Sequence, residues 1–152
     1  MKHGIHKTYQ GKFKPENPEK YIGDVNNIWY RSSWECRFYS WLDNCSDVLE
    51  WNSEEIVIPY MNPVKGGMRR YFPDAWVKMK TKEGIKQFLI EIKPFKQTLP
   101  PKPPKRKTKK YLNEVATYLI NEAKWSAAKE YCLDNGMQFK IITEKELNNQ
   151  NK

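Results

Sequence analysis

Histidine is almost missing from the chain: His3 and His6 are the only two, both close to the start. A Ser-His-Asp or Cys-His arrangement would have to recruit one of them, so nucleophilic catalysis of that kind has little material to work with. Cysteine is nearly as scarce. Cys36, Cys45 and Cys132 form no Cys-x-x-Cys pair and leave an odd thiol, which argues against a zinc site and a disulfide framework and for a reducing compartment. Long hydrophobic runs are also lacking. No segment reads as long and apolar enough to span a bilayer, so no membrane partner is expected. The stretch Met1 to Lys7 has basic residues with no apolar run behind them and does not read as a secretory signal. By elimination, chemistry in this chain rests on carboxylates and a metal.

What is present points to a folded domain with an anionic partner. The 152 residues are 39% hydrophobic and 14% aromatic, enough for one domain with a modest core. Lys and Arg number 27 against 18 Asp and Glu, a net charge of +9. An excess of that size suits a polyanion, most simply a nucleic acid.

The stretch from Tyr71 to Lys93 carries the strongest local pattern. It reads as two strands joined by a turn at Thr81-Lys82-Glu83-Gly84, where glycine takes positive φ at no cost. With Lys82-Glu83 at the tip, Ala75 faces Ile90, Val77 faces Phe88 and Pro73 faces Ile92, an apolar face. On the other face Asp74 lies opposite Glu91, Trp76 opposite Leu89 and Phe72 opposite Lys93. Two carboxylates directly across a ladder repel. A divalent cation between them reverses the sign, and Mg²⁺ or Mn²⁺ prefers such oxygen donors. Lys93, on the same side as Glu91 by period-2 alternation, would orient or activate a water. The plain alternative is a surface hairpin with solvated charges.

Around this hairpin the chain divides as follows. Residues 1–28, with five lysines among Tyr9, Phe13 and Tyr21, read as an extended basic arm, either touching phosphates or simply solvated. Ser32-Ser-Trp-Glu35 fits a capping box and predicts a helix to about Asn44. Trp34, Phe38, Trp41, Leu42 and Cys45 would form its buried face. Glu35 is then either the return bond of that box or a carboxylate aimed at the acidic end of the hairpin. Val48–Trp51 reads as an irregular exit, Glu54–Tyr60 as a strand, and Met61–Arg70 as a flexible basic loop whose Lys65, Arg69 and Arg70 are placed to hold a DNA backbone. Residues 94–110 hold many prolines, many basic residues and no acid. They read as a mobile loop after the acidic strand, a phosphate clamp of Lys102, Lys105, Arg106, Lys107, Lys109 and Lys110 or else a solvated linker. Helical pattern follows over Tyr111–Asn135, with a possible second start at Asn121. Leu112, Val115, Leu119, Ile120, Trp125, Ala128, Cys132 and Leu133 face inward, Gly136 is the stop, and Lys124 joins the DNA-facing set. A strand over Met137–Thr143 and a short capped helix from Thr143 complete the chain.

This order of helix, strand, hairpin, helix and strand resembles the PD-(D/E)xK nuclease superfamily. Pro73-Asp74 and Glu91-Ile92-Lys93 match its motif, and Glu35 matches the acid that members carry on their first core helix. The run Lys124-Trp125 through Leu147 is similar to the TnsA-like transposon-end branch. Residues 20 to 148 are similar to the head-completion nucleases of large tailed phages. The resemblance implies an α+β fold with a restriction-endonuclease-like core, a central mixed sheet flanked by helices. It makes residues 29–148 one nuclease domain, between the 1–28 arm and a 149–152 tail. It implies Mg²⁺- or Mn²⁺-dependent phosphodiester cleavage, with Glu35, Asp74, Glu91 and the Ile92 backbone carbonyl as ligands and Lys93 beside the attacking water. The implied partners are double-stranded DNA and phage head or neck proteins, in the cytoplasm of the infected host or at the head–tail junction. Two other functions compete: a structural head-joining protein, and a DNA-binding module without chemistry.

Overall fold

In the computed structural model, which describes residues 10–149, the hairpin forms in the register that its alternation dictates. Chain order gives β1 (Gly11–Lys12), β2 (Trp29–Tyr30), α1 (Ser33–Asn44), β3 (Val48–Asn52), β4 (Ile58–Met61), β5 (Met68–Tyr71), β6 (Ala75–Thr81), β7 (Gly84–Ile92), α2 (Lys109–Asn135), β8 (Gln138–Ile142) and α3 (Glu144–Asn149). Ala75 pairs with Ile90, Val77 with Phe88 and Thr81 with Gly84, whose φ is +110°. The ladder stops at Ala75. Asp74 lies just outside it, and the expected pairs of Pro73 with Ile92 and Phe72 with Lys93 are not formed.

The central sheet has the order β3-β6-β7-β8. Its first two pairings are antiparallel and the last is parallel. It is therefore a mixed sheet, and helices cover both faces. Ala75, Val77, Phe88, Ile90 and Ile92 pack with α1 and with Leu147 of α3. On the opposite face Leu89 packs with Trp125, Ala128 and Cys132 of α2 and with Ile58, Tyr60 and Tyr71 of the β4–β5 hairpin. Burial on both sides is what a strand with a parallel partner requires. It leaves the strand ends as the place where polar groups can gather.

Several segments differ from expectation. Val48–Asn52 is not an irregular exit but the edge strand β3. Its register shifts between Val48 and Glu50, and that break in alternation hid it. The first strand after it begins at Ile58, not Glu54. The basic loop expected over Met61–Arg70 is a hairpin: Arg70 pairs with Pro59 and Arg69 with Tyr60. The 94–110 segment contains a 3-10 turn at Phe95–Thr98, and its last two residues, Lys109 and Lys110, already belong to α2. That helix is continuous through Asn121, and the buried Asn121, Trp125, Ala128 and Cys132 set its inner face. Leu112, Leu119 and Leu133 point outward instead. On α1 the inner face turns toward Phe38, Tyr39, Leu42 and Asp43, because Tyr39 packs at a tilt on Trp51 and edge-to-face with Phe13.

Residues 1–9 and 150–152, with His3, His6 and Tyr9, lie outside the described residues. From residue 10 onward the expected arm is packed. Tyr21 and Ile28 are buried in the core, because their rings and branches cover α1 and β3. The buried carboxylate of Asp43 accepts the backbone N–H groups of Glu16 (2.7 Å) and Asn17 (3.1 Å). The Lys20 ammonium donates to the carbonyls of Leu42, Asp43 and Cys45 at 2.8, 3.0 and 2.8 Å. A cation there satisfies the orphan carbonyls at the helix C-terminus and complements its dipole. Asp43→Ala and Lys20→Met are each expected to lower stability by about 1–3 kcal/mol, the range for a lost bond to a charged group that strands its partner. Urea unfolding measures this; unchanged midpoints in both variants would mean that the segment is only draped on the surface.

Candidate active site

Strand β7 delivers the central residues. Alternation turns Leu89, Glu91 and Lys93 toward α2 while Ile90 and Ile92 enter the other core. The Lys93 N–H donates to the Ile142 carbonyl at 2.9 Å, which carries the parallel ladder one residue past β7 and fixes the Lys93 backbone. Glu91 is only 6% exposed. The Tyr71 hydroxyl donates to its Oε1 at 2.5 Å, and the Lys93 Nζ lies 3.4 Å from its Oε2.

Asp74 sits where β6 has not yet begun. Its Oδ2 accepts the Ile92 N–H at 2.7 Å, so the carboxylate bridges the two hairpin arms at their open end. The Tyr39 hydroxyl donates to the Asp74 carbonyl at 3.4 Å, which ties the site to α1. Burial, then the charges of Glu91 and Glu35, hold the Asp74 carboxyl well above the usual range, against the Ile92 bond and Lys93. Burial pushes the Tyr71 and Tyr39 hydroxyls far up, with Glu91 adding at Tyr71 and Glu35 at Tyr39. Both stay protonated donors.

Glu35 lies in the first turn of α1. The Ser32 side chain accepts the Glu35 N–H at 3.1 Å, and Glu35 Oε1 accepts the Arg31 N–H at 3.0 Å, one residue ahead of the usual capping-box partner. Glu35 is thus a cap and also part of the acidic field. Burial raises its carboxyl, the Arg31 N–H lowers it, and the charges of Glu54 and Glu91 raise it further. Glu54 was not foreseen. It holds a left-handed backbone at φ 55° and pairs with the Arg31 guanidinium. Only Asn, Asp and His visit that region with any ease among side-chain-bearing residues, so the conformation is held by its surroundings.

Tyr71 was also missed. Its signal was an aromatic at the first residue of the hairpin stretch, two before Pro73, but the expected ladder gave it no partner and no role; it is the last residue of β5, whose Met68, Arg69 and Arg70 are exposed. Lys124, expected to face DNA, reaches the same site from α2. Its Nζ stands 5.8 Å from the ring centroids of both Tyr60 and Tyr71. Burial and the neighbouring Lys93 lower its proton affinity, while Glu91 and Asp74 raise it.

The structure therefore brings Glu35, Asp74, Glu91, Lys93 and Lys124 into one electrostatic neighbourhood. Lys65 stands exposed in the β4–β5 turn, and Arg69 and Arg70 project outward from β5, with the Arg70 guanidinium 5.7 Å from the Phe72 ring centroid. Lys102, Lys105, Arg106, Lys107, Lys109 and Lys110 are exposed along the segment leading into α2. Among the described residues no three acids, histidines or cysteines converge closely enough to hold a metal ion as they stand. The bonds above explain this: each acid is already engaged by an N–H, a hydroxyl or an ammonium. The donor set nevertheless fits a hard divalent cation. Its oxygens are partly dehydrated and mutually repulsive, and burial together with the charges of Glu91 and Glu35 raises the proton affinity of Asp74, the response of a site short of positive charge.

A mixed sheet between helices, with an acid at one end of a hairpin and Glu-x-Lys at the facing end, is the arrangement of the PD-(D/E)xK nucleases. Comparison with known proteins narrows the class. The TnsA-like endonuclease N-terminal domain matches residues 45–144. A head completion nuclease of Enterobacteria phage T4 is 44% identical over 141 residues, spanning 90% of this chain and 92% of that protein. The chain belongs to the TnsA-like endonuclease family, and it is an enzyme, a deoxyribonuclease.

The raised Asp74 carboxyl sets a pH dependence. The folded state binds that proton more tightly than the unfolded chain, so this group's contribution to stability is fully present below the unfolded carboxylate range and is lost as pH rises from there through the folded value. Asp74→Asn keeps an oxygen for the Ile92 N–H and removes the repulsion. In EDTA at pH 8 the variant is expected to melt higher than the wild type, by a few tenths to about 1 kcal/mol, with the gap closing in mild acid. Added Mg²⁺ should raise the wild-type melting temperature and leave the variant unmoved. A variant that melts lower at pH 8 would show that the acids do not repel.

Proposed function

We propose that this chain hydrolyses phosphodiester bonds of double-stranded DNA with Mg²⁺ or Mn²⁺, and that it acts on packaged phage DNA when heads are completed and tails join. The observation that carries the reading is the placement of Glu91 between Tyr71 and Lys93, near an Asp74 whose proton affinity is raised by burial and by the charges of Glu91 and Glu35. A module that only binds DNA has no use for acids where phosphate must sit. The 44% identity to a head completion nuclease supports the biological setting, in which the partners are DNA and the proteins of the phage head or neck.

Asp74, Glu91, Glu35 and the Ile92 carbonyl are the groups that would hold the cation. When bound, it supplies neutralisation of phosphate charge and a water acidified for attack. Lys93, seated on Glu91 Oε2, orients the nucleophile and meets charge that develops on the phosphoryl oxygens. Tyr71 fixes the rotamer of Glu91 by occupying Oε1. Lys124, backed by two tyrosine rings, offers a second cation to a phosphate without being free to swing away.

Incubation with closed circular and with linear duplex DNA in Mg²⁺, Mn²⁺ or EDTA tests the reaction. Cleavage is expected with either metal and none in EDTA, and Asp74→Ala and Glu91→Ala should each lower the rate by about 100-fold or more while remaining folded. Full activity in either variant would sink the assignment. Glu35→Gln separates that residue's two roles: it keeps an acceptor for the Arg31 N–H and removes the charge. Severe loss of turnover with an unchanged melting temperature is expected; near-normal turnover would return Glu35 to capping alone.

A further inference from the structure

Between the 94–110 segment and the N-terminal half of α2 runs a groove of about 1120 Å³. That exceeds the roughly 300–1,000 Å³ of ordinary small-molecule clefts. Lys96, Lys102, Lys109 and Lys110 line it, with Glu114 as the one acid. Two of these lysines stand in the first turn of α2, which contains no acidic residue. Cations at a helix N-terminus oppose its dipole and cost stability, so the positive field there is maintained against the interests of the helix. The segment that forms the other wall is fastened at both ends. The Phe95 N–H donates to Glu144 Oε1 at 2.8 Å, and the Thr108 side chain caps α2 by accepting the Tyr111 N–H at 3.1 Å. Its prolines stiffen the stretch between.

Two further residues give the groove a direction and a preference. Asn121, 6% exposed, is the lining residue furthest along α2. It lies one helical turn before Lys124, and Lys96 lies three residues beyond Lys93, so both walls of the groove continue along the chain to residues of the acidic site. Tyr118 is half-buried in the wall. A lysine-lined channel with an aromatic side chain is the combination that holds unpaired nucleotides, phosphates against the cations and a base against the ring. Duplex DNA keeps its base faces stacked inside and offers Tyr118 nothing to stack on.

We infer that this groove binds one strand of single-stranded DNA and leads it to the Asp74–Glu91–Lys93 site, so that the enzyme prefers DNA with an unpaired segment next to the cleaved bond. The inference rests on the nuclease reading above and adds the form of the substrate. It also separates two sets of basic residues that look alike in sequence. Lys102, Lys109 and Lys110 line the groove, whereas Lys105, Arg106 and Lys107 are exposed and do not.

The test is fluorescence anisotropy with a labelled oligo-dT strand and a blunt duplex of equal length, across salt, in Ca²⁺ to suppress cleavage. Replacing Lys102, Lys109 and Lys110 with Ala should weaken strand binding by about 10-fold or more and reduce the slope of log affinity against log salt by about two units. Replacing Lys105, Arg106 and Lys107 removes the same charge and should cost less than about 3-fold. Tyr118→Leu should weaken the strand by about 5-fold or more and leave the duplex unchanged; it decides the matter alone if the triple variant fails to fold. Equal losses in the two triple variants, or equal losses for strand and duplex, would overturn the inference. Metal-dependent cleavage by the wild type, measured in parallel, reports on the nuclease reading separately: strand binding that depends on the groove without any cleavage would sink that reading and leave the groove standing.

Discussion

Repulsion among one buried and two half-buried acids is the constraint on which this structure turns. Asp74, Glu91 and Glu35 come from two hairpin arms and a helix, and nothing in their own chemistry draws them together. They are held there because the two cores on either side of β7 leave no alternative register. Slipping the hairpin by one residue would send Ile90 and Ile92 to the α2 side and Glu91 into an apolar core. The apolar burial of the hairpin thus overcomes the electrostatic cost of the site, and the stored repulsion becomes affinity for positive charge.

The supporting bonds follow from that cost. Each acid is given a partner that stabilises its charge without occupying all of its oxygens: the Ile92 N–H for Asp74, the Arg31 N–H for Glu35, Tyr71 and Lys93 for Glu91. Two tyrosines whose hydroxyls resist ionisation serve as fixed donors. Anchoring of α1 by Lys20 and Asp43 at its far end holds the helix that brings Glu35 to the site. The packed segment after residue 10 is in this way part of the machinery that positions the acid.

The hairpin, its turn and its register were legible because alternation over seven and nine residues and a glycine at the turn all point one way. Glu35 was legible as either a cap or a site acid, and the structure shows its capping contacts with Arg31 and Ser32. Strand β3 was not, because a bulge breaks its alternation. Strand β5 was not, because its first three residues all face solvent, and Tyr71, read only as the start of the hairpin stretch, was given no role. Phe13, Tyr21 and Ile28 were read as parts of a basic arm, since the lysines between them dominate the composition. What decides their fate is the uncovered surface of Tyr39 and Trp51, which no local pattern announces. The same holds for Leu133, which fits a helical stripe and yet finds no neighbour.

The long hairpin also separates its two ends. From the Lys82-Glu83 tip to the acids, β7 runs nine residues, or about 25–30 Å at strand rise. The tip has no covering element, and Gly84 already takes the backbone conformation of a tight turn. A dye, an affinity peptide or a surface anchor inserted there would sit far from the acids on a rigid stem. The molecule therefore offers a built-in handle for following single nucleases on DNA while leaving both the acids and the basic groove untouched.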